Sequence, residues 1–196
     1  TIHGNTIGRT EYVVVVEADL RDEFGQTLGR DTRLTFKVGS SQPALYGTEE
    51  ALVTIDPASK KPVLTLYAIN YDRLKVQIYQ VEPSDWFAFK NYLNVYYDKR
   101  QRVEPPGKKV IDETIAIEMV ADALTEVNVD LSRALEGDLG HLVVVIQPDK
   151  LLIKEDERTQ WTRQNWVQVT QIGLDALADH SEMVVWATAL KDGAPL

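Results

Sequence analysis

Trp166-Val167-Gln168-Val169-Thr170-Gln171-Ile172 alternates apolar with polar residues, and Glu182-Met183-Val184-Val185-Trp186-Ala187-Thr188-Ala189-Leu190 follows as a second apolar run. Alternation with period two is the mark of a half-buried strand, because successive side chains of a strand point to opposite faces. Lys191-Asp192-Gly193-Ala194-Pro195 then reads as a turn, with Asp-Gly supplying the backbone freedom for a reversal. Two strands by themselves are marginal in water. The segment 163–196 is therefore expected to open a larger β domain, and the chain to be a fragment of a longer protein.

Working outward, the same grammar recurs. Tyr12 to Ala18 is rich in valine, and Thr32 to Val38 puts Leu34, Phe36 and Val38 on one face. Gly39-Ser40-Ser41-Gln42-Pro43 is small and polar and ends at a proline, as a linker does. Strand runs follow at Ala51–Ile55, Pro62–Asn70 and Leu74–Val81, the last with Leu74, Val76, Ile78 and Val81 assigned to the core. Strands resume over 111–120, 125–131 and 141–147, with a helical turn or tight loop ending at Gly137 between the last two. The period changes after Glu82-Pro83. Ser84 to Leu93 reads as one short helix with Ser84 as N-cap and with Trp86, Phe89 and Leu93 on one face. Lys150 to Thr162 is charged and polar, a second linker. Many short strands at this spacing predict an all-β fold of tandem antiparallel sandwiches with one short helix. The expected divisions are 1–41, 42–150, a linker over 151–162, and 163–196. An alternative closes 1–40 and 163–196 on each other as one sandwich with the middle inserted.

Composition excludes several functions. A formal net charge of −9 leaves no basic face that could neutralise a run of phosphates, so nucleic acid is not an expected partner. No apolar run approaches the roughly 20 residues that span a bilayer. Cysteine is absent, which removes disulfides, thiolate metal sites and thiol nucleophiles. His3, His141 and His180 are too few and too scattered for a catalytic constellation. Asp179-His180-Ser181-Glu182 reads as a polar hairpin turn, since consecutive ligands with nothing converging on them do not make a metal site or a triad. Asp112-Glu113 and Glu155-Asp156-Glu157 lack the spacing of a calcium loop and read as solvated faces. No enzyme activity, cofactor, cofactor-binding residue or metal site is expected.

Two surfaces remain as candidates. Trp86, Phe87, Phe89 and Tyr92, with Tyr96 and Tyr97 close behind, form either an exposed interaction patch or a cover over a sandwich core. The loop from Gln101 to Lys109, with Pro105-Pro106-Gly107 inside it, offers Lys99, Arg100, Arg102, Lys108 and Lys109 as an exposed, protease-sensitive segment.

The closing thirty residues also carry a resemblance. Val169-Thr170-Gln171-Ile172-Gly173-Leu174, then Val185-Trp186-Ala187-Thr188-Ala189-Leu190-Lys191-Asp192-Gly193-Ala194-Pro195, resembles the opening of a macroglobulin domain of the bacterial α2-macroglobulin family. Pro62–Asn70, Asp130-Leu131-Ser132 and Gly140–Val145 are similar to a complete domain of that kind, assigned to 42–150. Asp22-Glu23-Phe24-Gly25-Gln26-Thr27-Leu28 before Leu34-Thr35-Phe36 resembles the second half of a bacterial Ig-like domain, assigned to 1–41. The resemblance implies a non-catalytic part of a broad-spectrum protease trap, an endopeptidase inhibitor of the periplasm or cell surface. Its partners would be proteases, met by the full-length parent, and neighbouring macroglobulin domains. The thioester that many members carry needs a cysteine, so this chain holds none. No residue matches a bait region, which has no fixed motif. The competing readings are an Ig-like module of an adhesin or surface stalk and, from the aromatic cluster, a carbohydrate-binding module.

Overall fold

A computed structural model describes residues 4–58, 61–96, 103–149 and 161–196. The chain divides into two units, Thr1–Gln42 and Pro43–Leu196. In the first, β1 (Glu11–Val16) and β2 (Thr32–Lys37) pair antiparallel, with Tyr12 opposite Phe36 and their rings stacked at 5.6 Å. The Asp22 carboxylate accepts the backbone N–H groups of Phe24 and Gln26, which shapes the connection between these strands.

The second unit is built on a sandwich. One layer holds β3 (Ala44–Tyr46), β5 (Val63–Ile69) and β8 (Thr125–Asp130), in the order β3-β5-β8. The other holds β4 (Leu52–Ile55), β6 (Arg73–Val81), β7 (Lys108–Ala116), β9 (Gly140–Pro148) and β10 (Arg163–Val169), in the order β4-β10-β9-β6-β7. Between them lies the main core. Leu74, Val76, Ile78, Leu142, Val144, Ile146, Val167 and Val169 of the five-stranded sheet meet Leu45, Leu64, Leu66, Val127 and Val129 of the three-stranded one. The fold is all-β with one short α-helix, as expected, though the five-stranded sheet is mixed: β4 runs parallel to β10.

The helix makes a third layer. Pro83–Asp85 is a 3-10 turn that leads directly into α1 (Trp86–Tyr96). The N-cap is Glu82 in extended backbone, not Ser84, because proline at the first turn position starts the turn earlier. The Asp85 carboxylate accepts the Glu82 N–H at 2.9 Å. Phe89 and Tyr92 turn inward onto Tyr79, Val81, Val143, Val145 and Trp166, the face of the five-stranded sheet opposite the main core. Val81 thus belongs to this second core, not to the first. Leu74, Val76 and Ile78 share a face two residues apart, and an odd offset puts Val81 on the other.

Two expectations about the C-terminal region are corrected. The run beginning at Trp166 does not open a new domain at residue 163. β10 lies inside the five-stranded sheet, with β9 antiparallel on one side and β4 parallel on the other. It also does not run on through Ile172. The Thr170 hydroxyl accepts the Ile172 N–H, which marks a break. The chain then forms a separate two-stranded sheet of β11 (Ile172–Ala178) and β12 (Met183–Ala189). Residues 173–178, not assigned to a strand above, are therefore the paired strand. Lengths 151–160 of the expected linker lie outside the described residues.

β10 also holds the chain entering the sandwich. The Arg163 guanidinium donates twice to the Leu45 carbonyl, from Nη2 at 2.6 Å and Nε at 3.1 Å. Asn165, 4% exposed, donates through Nδ2 to the Glu50 carbonyl at 2.7 Å and more weakly to Thr48 at 3.5 Å. Replacing Asn165 by Ala leaves the Glu50 carbonyl without this donor and is expected to destabilise the unit by about 0.5 to 1.5 kcal/mol. Urea unfolding measures it. A change below a few tenths would mean that water replaces the amide.

Candidate functional site

Of the second candidate segment, Val103 and Lys109 adjoin the sheet face that receives the aromatic cluster. Of the four candidate aromatics, three are structural. Phe89 is fully buried, and its ring lies 5.8 Å from Trp86, 6.4 Å from Tyr92 and 5.7 Å from Trp166. Trp86 meets Trp166 edge-on at 5.4 Å, and Lys90 lies over the Trp86 ring at 5.8 Å. The Tyr92 hydroxyl donates to Gln164 Oε1, and the Tyr96 hydroxyl to Thr162 Oγ1 at 3.0 Å. Phe87 alone of the four points to solvent, 83% exposed. The helical period explains the split: positions 86, 89, 92, 93 and 96 share a stripe from which 87 is excluded. The cluster is a cover on the sheet with one exposed ring, not an aromatic patch.

Trp166, on β10, is the sheet residue on which that cover centres, and nothing in the local pattern of the sequence links it to the helix. Its indole N–H donates to His141 Nδ1 at 3.2 Å, and the two rings lie 5.8 Å apart. Burial lowers the pKa of His141 from 6.5, and the nearby Glu82 carboxylate partly opposes this. His180 and Asp179 occupy the tip of the β11–β12 hairpin, as expected of a turn. Asp179 Oδ1 accepts the backbone N–H groups of Ser181 at 2.7 Å and Glu182 at 2.8 Å, and these bonds hold its carboxyl below the ordinary range. His3 lies outside the described residues.

The loop assigned to 101–109 ends sooner. Lys108 and Lys109 are the first residues of β7 and pair with Gln80 and Tyr79. Between the Tyr79–Lys109 and Ile78–Ile111 pairs, Val110 is an extra residue, a bulge that lets the strand turn onto the sheet. The Lys109 ammonium lies 5.5 Å from the Tyr79 ring centre and 3.4 Å from Asp112 Oδ2. Asp112 also receives Lys75 at 3.2 Å and the Gln77 amide at 2.9 Å, and the amide leads in holding its carboxyl low. Glu113 pairs with Arg133. Asp112 and Glu113 are thus each engaged by side chains of this unit, with separate partners. Lys99, Arg100, Arg102 and Glu155–Glu157 fall outside the described residues. A protease needs an extended, unpaired substrate, so trypsin acting on the folded chain is expected to leave the bonds after Lys108 and Lys109 uncut. Mass spectrometry of early fragments checks this. A fragment beginning at Lys109 or Val110 would contradict it.

The β11–β12 hairpin presents a further surface. Cross-strand pairs put Ile172, Leu174, Ala176 and Ala178 on the same face as Ala189, Ala187, Val185 and Met183. All eight are apolar, and Leu174 and Met183 are 72% and 66% exposed. The turn after β12 returns to it: Gly193 adopts a left-handed φ of 72°, and Pro195 bridges to Thr188. Among the described residues no group of three or more His, Asp or Glu side chains is placed to hold a metal, and no helix is long and apolar enough to cross a membrane.

No family model matches the chain. Along 94% of its length it is 25% identical to an α2-macroglobulin homolog of Nostoc, of which it spans 9%. Its fold is similar to native α2-macroglobulin of Escherichia coli spanning domains MG0, NIE and MG1, with a TM-score of 0.55 at 15% identity, covering 97% of this chain and 60% of that one. Against the same protein spanning NIE and MG1 the TM-score is 0.57 at 15% identity, covering 79% and 73%. At such identity the structural likeness is one of fold. Sequence and fold point to the same group, so the chain is similar to bacterial α2-macroglobulins, as the resemblance in its last thirty residues implied.

Proposed function

We propose that this chain is a non-catalytic scaffold segment of a bacterial α2-macroglobulin whose full-length form traps proteases in the periplasm or at the cell surface. The observation that carries this reading is the similarity over nearly the whole chain to one α2-macroglobulin homolog, along the same stretch that shares its fold with the E. coli protein. In this reading 43–170 is one β-sandwich of the macroglobulin scaffold, residues 1–41 are the second half of an Ig-like domain, and 172–196 begin a further domain. The eight-residue apolar face of the hairpin supports the last assignment, since a sheet stabilises only when such a face is covered. The partners are then the neighbouring domains and, through the parent, proteases.

The test uses the full-length parent with trypsin and two substrates in parallel, a large protein and a small peptide. A steric cage protects the large substrate while the peptide is still cleaved. Equal cleavage of both would move the chain to an Ig-like surface module with no part in protease capture.

A further inference from the structure

We propose that the His141–Trp166 hydrogen bond is a proton-sensitive latch that holds α1 on the central sheet: neutral His141 accepts the indole N–H, and the imidazolium releases it. The bond ends on Nδ1, so the neutral ring carries its own hydrogen on Nε2. Protonation puts a second N–H on Nδ1, directly facing the indole N–H. Donor then meets donor, and Trp166, 2% exposed, cannot turn to water without leaving its packing. That packing is what seats the helix: Trp166 touches Trp86 edge-on at 5.4 Å and Phe89 at 5.7 Å, both residues of α1.

The surroundings of His141 decide the direction. Glu82, at the end of β6, and Glu136, after the Ser132–Ala134 turn, line the same shallow depression as the imidazole. Gln80 and Val81 of β6 and Gln168 of β10, which pairs directly with His141, carry no charge. The nearest cation of α1, Lys90, lies on the Trp86 ring. Glu82 favours the imidazolium, but burial outweighs it and lowers the pKa below 6.5. The folded chain thus binds this proton less readily than the unfolded one. The stability due to the latch is complete above pH 6.5 and is lost as the pH falls through the lower folded value.

The experiment follows the Trp166 indole N–H and the His141 ring together by NMR, from about pH 8 to pH 5, the range in which histidine titrates. The latch predicts one midpoint for both, below 6.5. Measured against the intrinsic rate at each pH, hydrogen exchange at the indole should speed up about tenfold for each pH unit by which that midpoint lies below 6.5. His141→Gln keeps a neutral acceptor and should abolish the pH step while exchange stays slow. His141→Phe removes the acceptor and should give fast exchange at every pH. An indole resonance indifferent to His141 titration, a midpoint at or above 6.5, or the same step in His141→Gln would each overturn the proposal.

Discussion

Gly107→Ala is expected to destabilise the second unit by about 3 to 4 kcal/mol, far more than its single added methyl suggests. Gly107 has φ of 92°, and an added Cβ would lie 2.2 Å from the Gln80 carbonyl oxygen and 2.5 Å from Val81 Cγ1. The first contact is with backbone inside β6, which cannot swing away as a side chain could. The residue stands immediately before β7, where the Val110 bulge sets the register, so relief of the clash would disturb the pairing of Lys108 and Lys109 with β6. Gly137 provides the control. Its φ is 89°, nearly the same, but nothing lies within 4 Å of its added Cβ. Gly137→Ala therefore feels only the left-handed backbone, about 1 kcal/mol once the stiffer unfolded chain is counted. The difference between the two variants isolates the close approach. At this size it should appear as a melting temperature lower by roughly 5 to 10 °C for Gly107→Ala than for Gly137→Ala. Equal melting temperatures would mean that β6 and the chain entering β7 are not in contact.

Phe89→Ala is the second large effect, about 3 to 5 kcal/mol. The ring is fully buried and meets Trp86, Tyr92 and Trp166, so its removal opens a cavity at the centre of the helix–sheet contact. α1 is only 11 residues long, too short to hold its shape in water without that contact. Loss of helical circular dichroism should accompany the loss of stability. Phe87→Ala, two positions away, should change stability by less than about 0.5 kcal/mol, because that ring is 83% exposed. If Phe87→Ala were the more damaging, the helix would present the opposite face to the sheet.

These pairs also mark what could be read in advance. Helical spacing alone placed Trp86 and Phe89 on one stripe, and the structure puts that stripe on the sheet. What the spacing could not say was which surface received it. Trp166, the residue that α1 grips, is some seventy positions away in sequence and alternates like any strand residue. The loop at 101–109 was recognised by its prolines and glycine, but not its end, because Lys108 and Lys109 look solvated whether or not the backbone beneath them is paired. A signal for the buried sheet was present: Leu142-Val143-Val144-Val145-Ile146 is continuously apolar, as a strand covered on both faces must be.

By itself the sequence determined the class of fold, the positions of most strands, the helix with an aromatic stripe along one face and the turns at Asp179 and Gly193. These follow from periodicity and turn chemistry, which act over a few residues. Only the tertiary structure decided where β10 goes. A strand's alternation states that one face is buried and the other is not. It does not state which neighbours supply its hydrogen bonds, so Trp166–Val169 reads equally well as the first strand of a new domain or as an inner strand of the one before. The Ala51 carbonyl, which accepts the Trp166 N–H at 2.8 Å, and the seven-pair ladder with β9 settle that choice through contacts that no local pattern encodes.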